Sequence, residues 1–430
     1  MELSINISIT VLSMVALYLS NRRLSLPSFG QLFAFFYIFF IIIGSYVFFF
    51  EDPARYSKTL LFANTGFLAF CAGSFFSSAF NMLGPEDFTR FRARPLADRY
   101  GGTPFVLTVL ILLAVALGLS ALFFRNGIPL LSLDVDEARY AATVGGGYFF
   151  IGIYIFLPFV TLLLMAKTYM AGNKAYKPFF YLVLAMTVFI NVLSGFRAPL
   201  AALLLMMVLL NFYIKGRFTW KTIFVGLFLF SIVFFGITYL KLKDEPMVLS
   251  LVGDIFMHRV VLENPTVISI ILDIFPARVD FMLGGTYLMD IISAMPGPGI
   301  SFGGWLFSQT PSTQYYGVAA MTPTLIGELH ANFSAPMAVV MVFIFGYFLN
   351  SLYIRFLRNE RDVTTVAIWM VFVLPLSNSV MLGLGSLIFT RLVQLAIVSV
   401  LFFTLYHVFK VISRRTSSFE QGGISGPLEM

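Results

Sequence analysis

Residues 104–124 read PFVLTVLILLAVALGLSALFF, without one charged side chain. At about 1.5 Å per residue, a helix of that length is ~30 Å long, the thickness of a bilayer's hydrocarbon core. Comparable apolar runs lie near residues 4–20, 30–50, 59–80, 148–170, 178–193, 199–214, 222–240, 336–354, 363–382 and 385–409. About eleven membrane spans are therefore predicted. The runs are continuous and lack a ten-residue alternating pattern, so helices are expected and not a barrel. Composition agrees, with 59% hydrophobic and only 11% charged residues, where a soluble domain carries about 25% charged. The predicted fold class is an all-α polytopic membrane protein. No basic residue precedes the first run and no small-residue cleavage site follows it, so it reads as a retained span. The single cysteine, Cys71, lies inside an apolar run and offers neither a disulfide nor a metal cluster.

The net charge of +7 is a topology signal and not a nucleic-acid signature. With the N-terminus outside, the inner connections hold Arg22 and Arg23; Arg90, Arg92, Arg94 and Arg99; Lys167, Lys174 and Lys177; Lys215, Arg217 and Lys221; Arg355, Arg358 and Arg361; and Lys410, Arg414 and Arg415. Eighteen of the 28 basic residues thus fall on one side, as the positive-inside rule requires. The expected organisation is eight spans over 1–240, a large outer segment over 241–335, three spans over 336–410 and a polar inner tail over 411–430. The outer segment carries four basic and eight acidic residues. Its apolar stretches, such as PTVISIILDIFPARVDFML, predict short helices on the membrane surface or packed on the bundle. No internal repeat is evident.

Ionisable groups at membrane depth cost roughly 2.5–3.5 kcal/mol each and mark candidate sites. Arg197, in SGFRAP, joins two predicted spans of about 16 residues. Each would cover only ~24 Å of a ~30 Å core, so the turn is expected to sink below the outer headgroups. Arg391, in GSLIFTRLVQL, is expected about 8–9 Å inside the last span. Either arginine can snorkel or pair with a carboxylate. The alternative is an anion site, since a guanidinium fork matches phosphate oxygens and a lipid diphosphate sits at this depth. The outer connections add Arg139, Arg259, Arg278, Asp280, Glu328 and the histidines His258 and His330. An external imidazole or carboxylate suits proton abstraction from a sugar hydroxyl. The Asp134/Asp136 pair in DVDEAR has the spacing of a metal-holding pair, but faces outward and reads as loop. No phosphate-binding glycine loop, nucleotide fingerprint or hydrolase signature is present in the sequence.

Three stretches resemble the Wzy-type O-antigen polymerases, bacterial enzymes that polymerise oligosaccharide repeat units. NGIPLLSLDVDEARY resembles their acidic-then-Arg segment, SGFRAPL their short Gly-x-Arg turn, and TPTLIGELHANFSAPM the signature closing their large outer loop. His330 and Ser334 stand where relatives commonly have an aromatic and a glycine. The resemblance implies a GT-C-type membrane glycosyltransferase in the bacterial inner membrane. It would transfer a glycan from one undecaprenyl-diphosphate carrier to another lipid-linked repeat unit. Donor and acceptor are then both lipid-linked, no metal or other cofactor is needed, and a flippase and a chain-length regulator are the expected cellular partners. On that reading Arg197, Arg278 and Arg391 bind the diphosphate, with Arg139 and Arg259 in reserve. Glu328 or Asp280 is the base, followed by His258 and His330. Asn332, Tyr287, Trp305, Tyr315 and Tyr316 are the candidate sugar contacts. The alternatives are an O-antigen ligase, which shares the plan, and a lipid-linked oligosaccharide flippase, for which repeated halves and short outer loops are expected.

Within GELHANF, helical spacing separates the candidates. Glu328 and His330 are two apart and point to opposite sides, whereas Glu328 and Asn332 are four apart and share a face.

Overall fold

The computed structural model describes residues 2–21, 28–81, 87, 89–91, 97–132, 135–143, 147–169, 171–172, 174–215, 220–242, 253–254, 257–294, 299–310, 321–359 and 362–422. Among these, every regular element is helical, and Ala97 and Asp362 form one isolated bridge. Ten helices are long and apolar enough to cross a membrane. A further helix, Trp220–Leu242, covers the eighth predicted span. Large apolar side chains such as Leu12, Phe50, Phe189 and Val400 are exposed on these helices, as lipid contact requires.

The chain divides into two compact units. The first comprises Met1–Pro95, Asn211–Glu360 and Phe372–Leu392. Its transmembrane framework is α1 (Glu2–Asn21), α2 (Phe29–Glu51, with a π turn at Ile38–Ile42), α3 (Pro53–Phe80) and, much later in the chain, Ala335–Arg358. Helix α3 starts where Asp52 accepts a hydrogen bond from the Arg55 amide at 3.1 Å and Pro53 takes the first helical position, an N-terminus that asks for no proline N–H. It meets Ala335–Arg358 through glycines. A side chain at Gly73 or Gly346 would collide with the facing backbone at Phe343 or Phe70, so small residues set this close crossing. Asn350 donates to the Ser74 carbonyl at 3.0 Å, and Ser77 and Ser351 share a 2.9 Å hydrogen bond across the same interface. Helix α1 is held to α3 by Asn64, which donates to Asn6 at 2.9 Å and accepts from Thr10 at 2.8 Å.

The second unit comprises Leu96–Leu210, Arg361–Val371 and Val393–Met430. It contains α4 (Gly102–Phe123), α5 (Val135–Thr143), α6 (Leu157–Tyr169), α7 (Lys177–Leu193) and the start of α8 (Arg197–Lys215). The buried Lys167 pairs with Asp98, donates to the Tyr100 carbonyl and lies over the Phe105 ring. Asp362 accepts from the Arg99 and Thr365 amides.

The described residues of the predicted outer segment form a packed layer within the first unit and not a linker. Its helices are α10 (Glu263–Ile274), α11 (Gly285–Ala294), α12 (Phe302–Ser308) and α13 (Leu325–Phe333), following α9 (Trp220–Leu242) in chain order. Val267, Ile271, Phe275, Phe302, Leu306 and Met321 close a core of their own, which is why PTVISIILDIF and FGGWLF are apolar in a stretch that does not span. After α13 come α14 (Ala335–Arg358), α15 (Val363–Leu382) and α16 (Leu384–Leu387). A π turn (Ile388–Leu392) then leads into α17 (Val393–Gly422).

Helix α13 joins α14 through Ser334, whose φ is +84°. A side chain pays strain in this region and glycine does not. Ser334→Gly is expected to leave stability unchanged or raise it by up to about 1 kcal/mol, read as an equal or higher thermal midpoint. A lowered midpoint would show that the Ser334 side chain holds the corner.

Candidate functional site

The site grows from the N-terminus of α13. Thr324 adopts φ +58° and its hydroxyl accepts from the Gly327 amide at 3.1 Å, while its own amide donates to the Met381 carbonyl at 3.2 Å. This strained cap sets α13 against the end of α15 and buries the next turn completely. Glu328 is 0% exposed.

Its carboxylate has three donors. Thr286 of α11 donates to Oε1 at 3.0 Å, and the Gly385 amide donates to Oε2 at 3.1 Å. The Leu384 amide also donates to Oε2. Those two amides are the first N–H groups of the helical run that continues from α16 into α17, groups that need a non-helical acceptor. Asn332, one turn on, donates to Thr286 Oγ1 at 2.6 Å and to the Glu328 carbonyl at 3.1 Å, and accepts from the Gly284 amide at 2.9 Å. Asn332 therefore orients Glu328 through Thr286 and not by touching the carboxylate. A second carboxyl, Asp290 of α11, faces the same turn. It is 4% exposed, accepts from the Phe302 amide at 3.1 Å and also takes a backbone hydrogen bond from Ser386.

Two glycines make room. A side chain at Gly383 (φ +78°) would begin 2.6 Å from Glu328 Oε2. One at Gly385 would begin 2.7 Å from Asp290 Oδ2 and 2.9 Å from Glu328 Oε1. The two carboxylate oxygens thus lie at most 2.7 plus 2.9 Å apart.

Burial, with Asp290 adding to it, raises Glu328 from its ordinary 4.5 to about 7, against the three hydrogen bonds that favour the ion. Asp290 is raised as well, by burial. Neither group lies in one of the ten spans. Between about pH 4.5 and 7 the folded Glu328 keeps a proton that the unfolded chain has lost, so stability falls as pH rises through that window and levels off above it. The expected loss is roughly 3 kcal/mol at 1.36 kcal/mol per pH unit. Thermal midpoints measured in detergent from pH 5 to 8 should decline, and Glu328→Gln should flatten most of that slope. A midpoint that rises over this range would contradict the buried protonation.

The other predicted residues scatter. His330 is buried on the opposite face of α13, between Phe62 and Phe281, and its Nε2 lies 3.2 Å from the Phe275 carbonyl. Burial lowers its pKa, so it is a neutral ring donating to a carbonyl, not an exposed base at the membrane mouth. Trp305, partly buried, packs against Phe302 and Phe275 at the edge of the outer-segment core. Tyr287 stands beside Glu328; burial first, and the Glu328 charge second, push its phenol up. Arg278 and Asp280 are exposed on the turn after α10. That turn is tied down where the Met282 and Leu283 amides donate to the Ala331 and Asn332 carbonyls at 2.9 and 3.1 Å. Arg391 is half-buried in the π turn after α16. His258 and Arg259 belong to the π turn Met257–Leu262, with the Arg259 side chain outside the described residues. Tyr315, Tyr316 and Asp134 also lie outside them.

In the second unit, the Arg139 guanidinium lies 4.1 Å over the Phe196 ring, and its stem packs on Gly195 (φ +68°). Phe196 precedes Arg197, the first residue of α8. The sequence patches DEAR and SGFR thus meet at one turn. The flanking helices are longer than predicted, 20 residues for Lys174–Leu193 and 18 for Arg197–Ile214: the first extends at the end away from the turn and the second begins at Arg197 itself. Spans of 20 and 18 residues reach about 30 and 27 Å, so the turn has less need to sink into the membrane.

Asp290, Thr286 and the Gly383/Gly385 pair were not among the predicted site residues. Asp290 sits in the apolar stretch GGTYLMDII, where one acidic residue reads as a surface position. The signal that could have revealed the turn is Leu-Gly-Leu-Gly-Ser between two spans. Among the described residues, no group of three or more His, Cys, Asp or Glu has the geometry to hold a metal ion.

A protein-family model described as "Putative O-antigen polymerase" matches residues 33–384. No curated protein and no solved structure matches the chain.

Proposed function

The chain belongs to the O-antigen polymerase family, and on that premise we propose that it joins lipid-diphosphate-linked oligosaccharide repeat units at the outer face of the bacterial inner membrane. The observation that carries this reading is the family match over most of the chain, including the acidic-Arg segment, the SGFRAP turn and the whole outer layer. The substrate is already activated. The bond between the donor sugar's anomeric carbon and its diphosphate breaks, a bond from that carbon to an acceptor hydroxyl oxygen forms, and the diphosphate leaves with the electron pair. Arg197 and Arg391 are each candidates to neutralise the charge that develops on the leaving diphosphate, and Arg139 packs over the ring of Phe196, the residue before Arg197.

The acceptor hydroxyl must lose a proton. Glu328 has no exposed surface and both of its oxygens are engaged, so its part in this reading is to hold the turn before the last span. Asp280, exposed on the anchored turn after α10, is the carboxylate offered to the acceptor. The topology follows the charge distribution, with the N-terminus outside and the C-terminal tail inside.

The test is genetic. Cells lacking this protein should display surface glycan one repeat unit long, and restoring it should restore a ladder of lengths. If repeat units fail to reach the outer face without the protein, it acts as a flippase. If polymer forms but is not passed to its final lipid, it acts as a ligase.

A further inference from the structure

We propose that Asp290 is a positioning residue for this glycosyl transfer. With Glu328 it fastens the Gly383–Ser386 turn to the outer layer and so fixes the π turn that carries Arg391. The proposal rests on the reading of Arg391 given above.

Asp290 spans two chain segments far apart in sequence. One hydrogen bond comes from the Phe302 amide at the start of α12, the other from the Ser386 amide in the first turn of the last helical run. Glu328 takes the two preceding amides, Leu384 and Gly385. Three successive N–H groups of that helical start are therefore held by two carboxyl groups from α11 and α13. The carboxyls come close only because Gly385 has no side chain. Helix α11 packs on α16 and on the π turn as well. The helical run passes without a break from Leu384 through Ile388–Leu392, so a shift at Ser386 is transmitted to Arg391. Sequence spacing alone gives no reason to pair Asp290 with Ser386. A surface acid would not be 4% exposed and hydrogen-bonded to two backbone amides.

Asp290→Asn keeps one acceptor oxygen and replaces the other with an NH2 that cannot accept from a backbone N–H, weakening the hold on the two amides. Ser386→Pro removes the donor from the other side, at a first-turn position where proline is tolerated. Both variants are measured in the full-length protein in lipid nanodiscs, with lipid-linked repeat units extracted from cells lacking it. Hydrogen exchange across residues 383–392 should rise by about tenfold, equivalent to ~1.4 kcal/mol of lost docking. The kcat should fall by about a hundredfold with KM within about twofold, the pattern of a displaced group that acts in the transition state. In an Arg391→Lys background the same variants should cost no more than about twofold, because both changes act through one group. Unchanged exchange in both variants overturns the docking. Raised exchange with normal kcat, or losses that multiply with Arg391→Lys, overturns the positioning role. The exchange arm reads the dock whether or not Arg391 meets a diphosphate. A normal ladder in Arg391→Ala alongside raised exchange therefore overturns the arginine's role and with it the positioning, while leaving the dock in place.

Discussion

Arg197→Ala and Arg391→Ala are each expected to abolish long glycan chains while single repeat units still reach the outer surface. A diphosphate leaving group gathers negative charge as its bond to the sugar breaks, and a guanidinium supplies two donors and a full positive charge in a fixed fork. Removing one preorganised donor of this kind typically costs about 10²–10³ in rate. In a polymerisation, where the loss recurs at every addition, even the lower figure erases the long products. Lysine in place of either arginine should give shortened ladders, because the charge remains and the fork is lost. The two residues belong to different units of the fold. Their equivalence in this assay is therefore an informative result. Normal ladders in both alanine variants would remove the diphosphate assignment. A defect in Arg197→Ala alone would place the leaving group with Arg139 and the SGFRAP turn.

Glu328→Ala is expected to lose folded protein, whereas Glu328→Gln is expected to fold and to retain most activity. Alanine strips the acceptor from the Thr286 hydroxyl and from the Leu384 and Gly385 amides. Each buried donor left unmet costs about 1–3 kcal/mol, so the set is comparable with the whole stability of a typical domain. Glutamine keeps an oxygen toward the two amides and turns its NH2 toward Thr286 Oγ1, which can accept once its own proton rotates away. It resembles the protonated acid that burial already favours at this site. In the same gel assay, Asp280→Asn should abolish polymer, since it removes the exposed carboxylate without touching the dock. An inactive but folded Glu328→Gln beside a fully active Asp280→Asn would move the base to Glu328.

The helices were legible because membrane insertion writes its demands into composition. Every predicted apolar run is helical, since a backbone in lipid has no partner but itself. The outer layer was legible as structured, because PTVISIILDIF and GGTYLMDII are too apolar to be linkers. Helical spacing also separated Glu328 from His330 and put it with Asn332; Glu328 and Asn332 both bond Thr286, and His330 lies on the opposite face of α13. What could not be read was the partner of each polar group. Glu328 bonds residues 42, 56 and 57 positions away, and Asp290 meets Ser386 across almost a hundred residues. Spacing reports only neighbours on one element, so the dock stayed hidden and Glu328 looked like a free carboxylate. The packing of Trp305 on Phe302 is hidden for the same reason: an aromatic in a loop and one against a small core have the same sequence signature.

The most direct measurement is reconstitution. Purified protein in lipid vesicles is supplied with lipid-diphosphate-linked repeat units alone, without nucleotide sugars, and the products are separated by length. A ladder of lipid-linked glycans that grows with time, with release of free lipid diphosphate for each unit added, is the predicted result. Single units that remain unjoined but cross the vesicle membrane would contradict it.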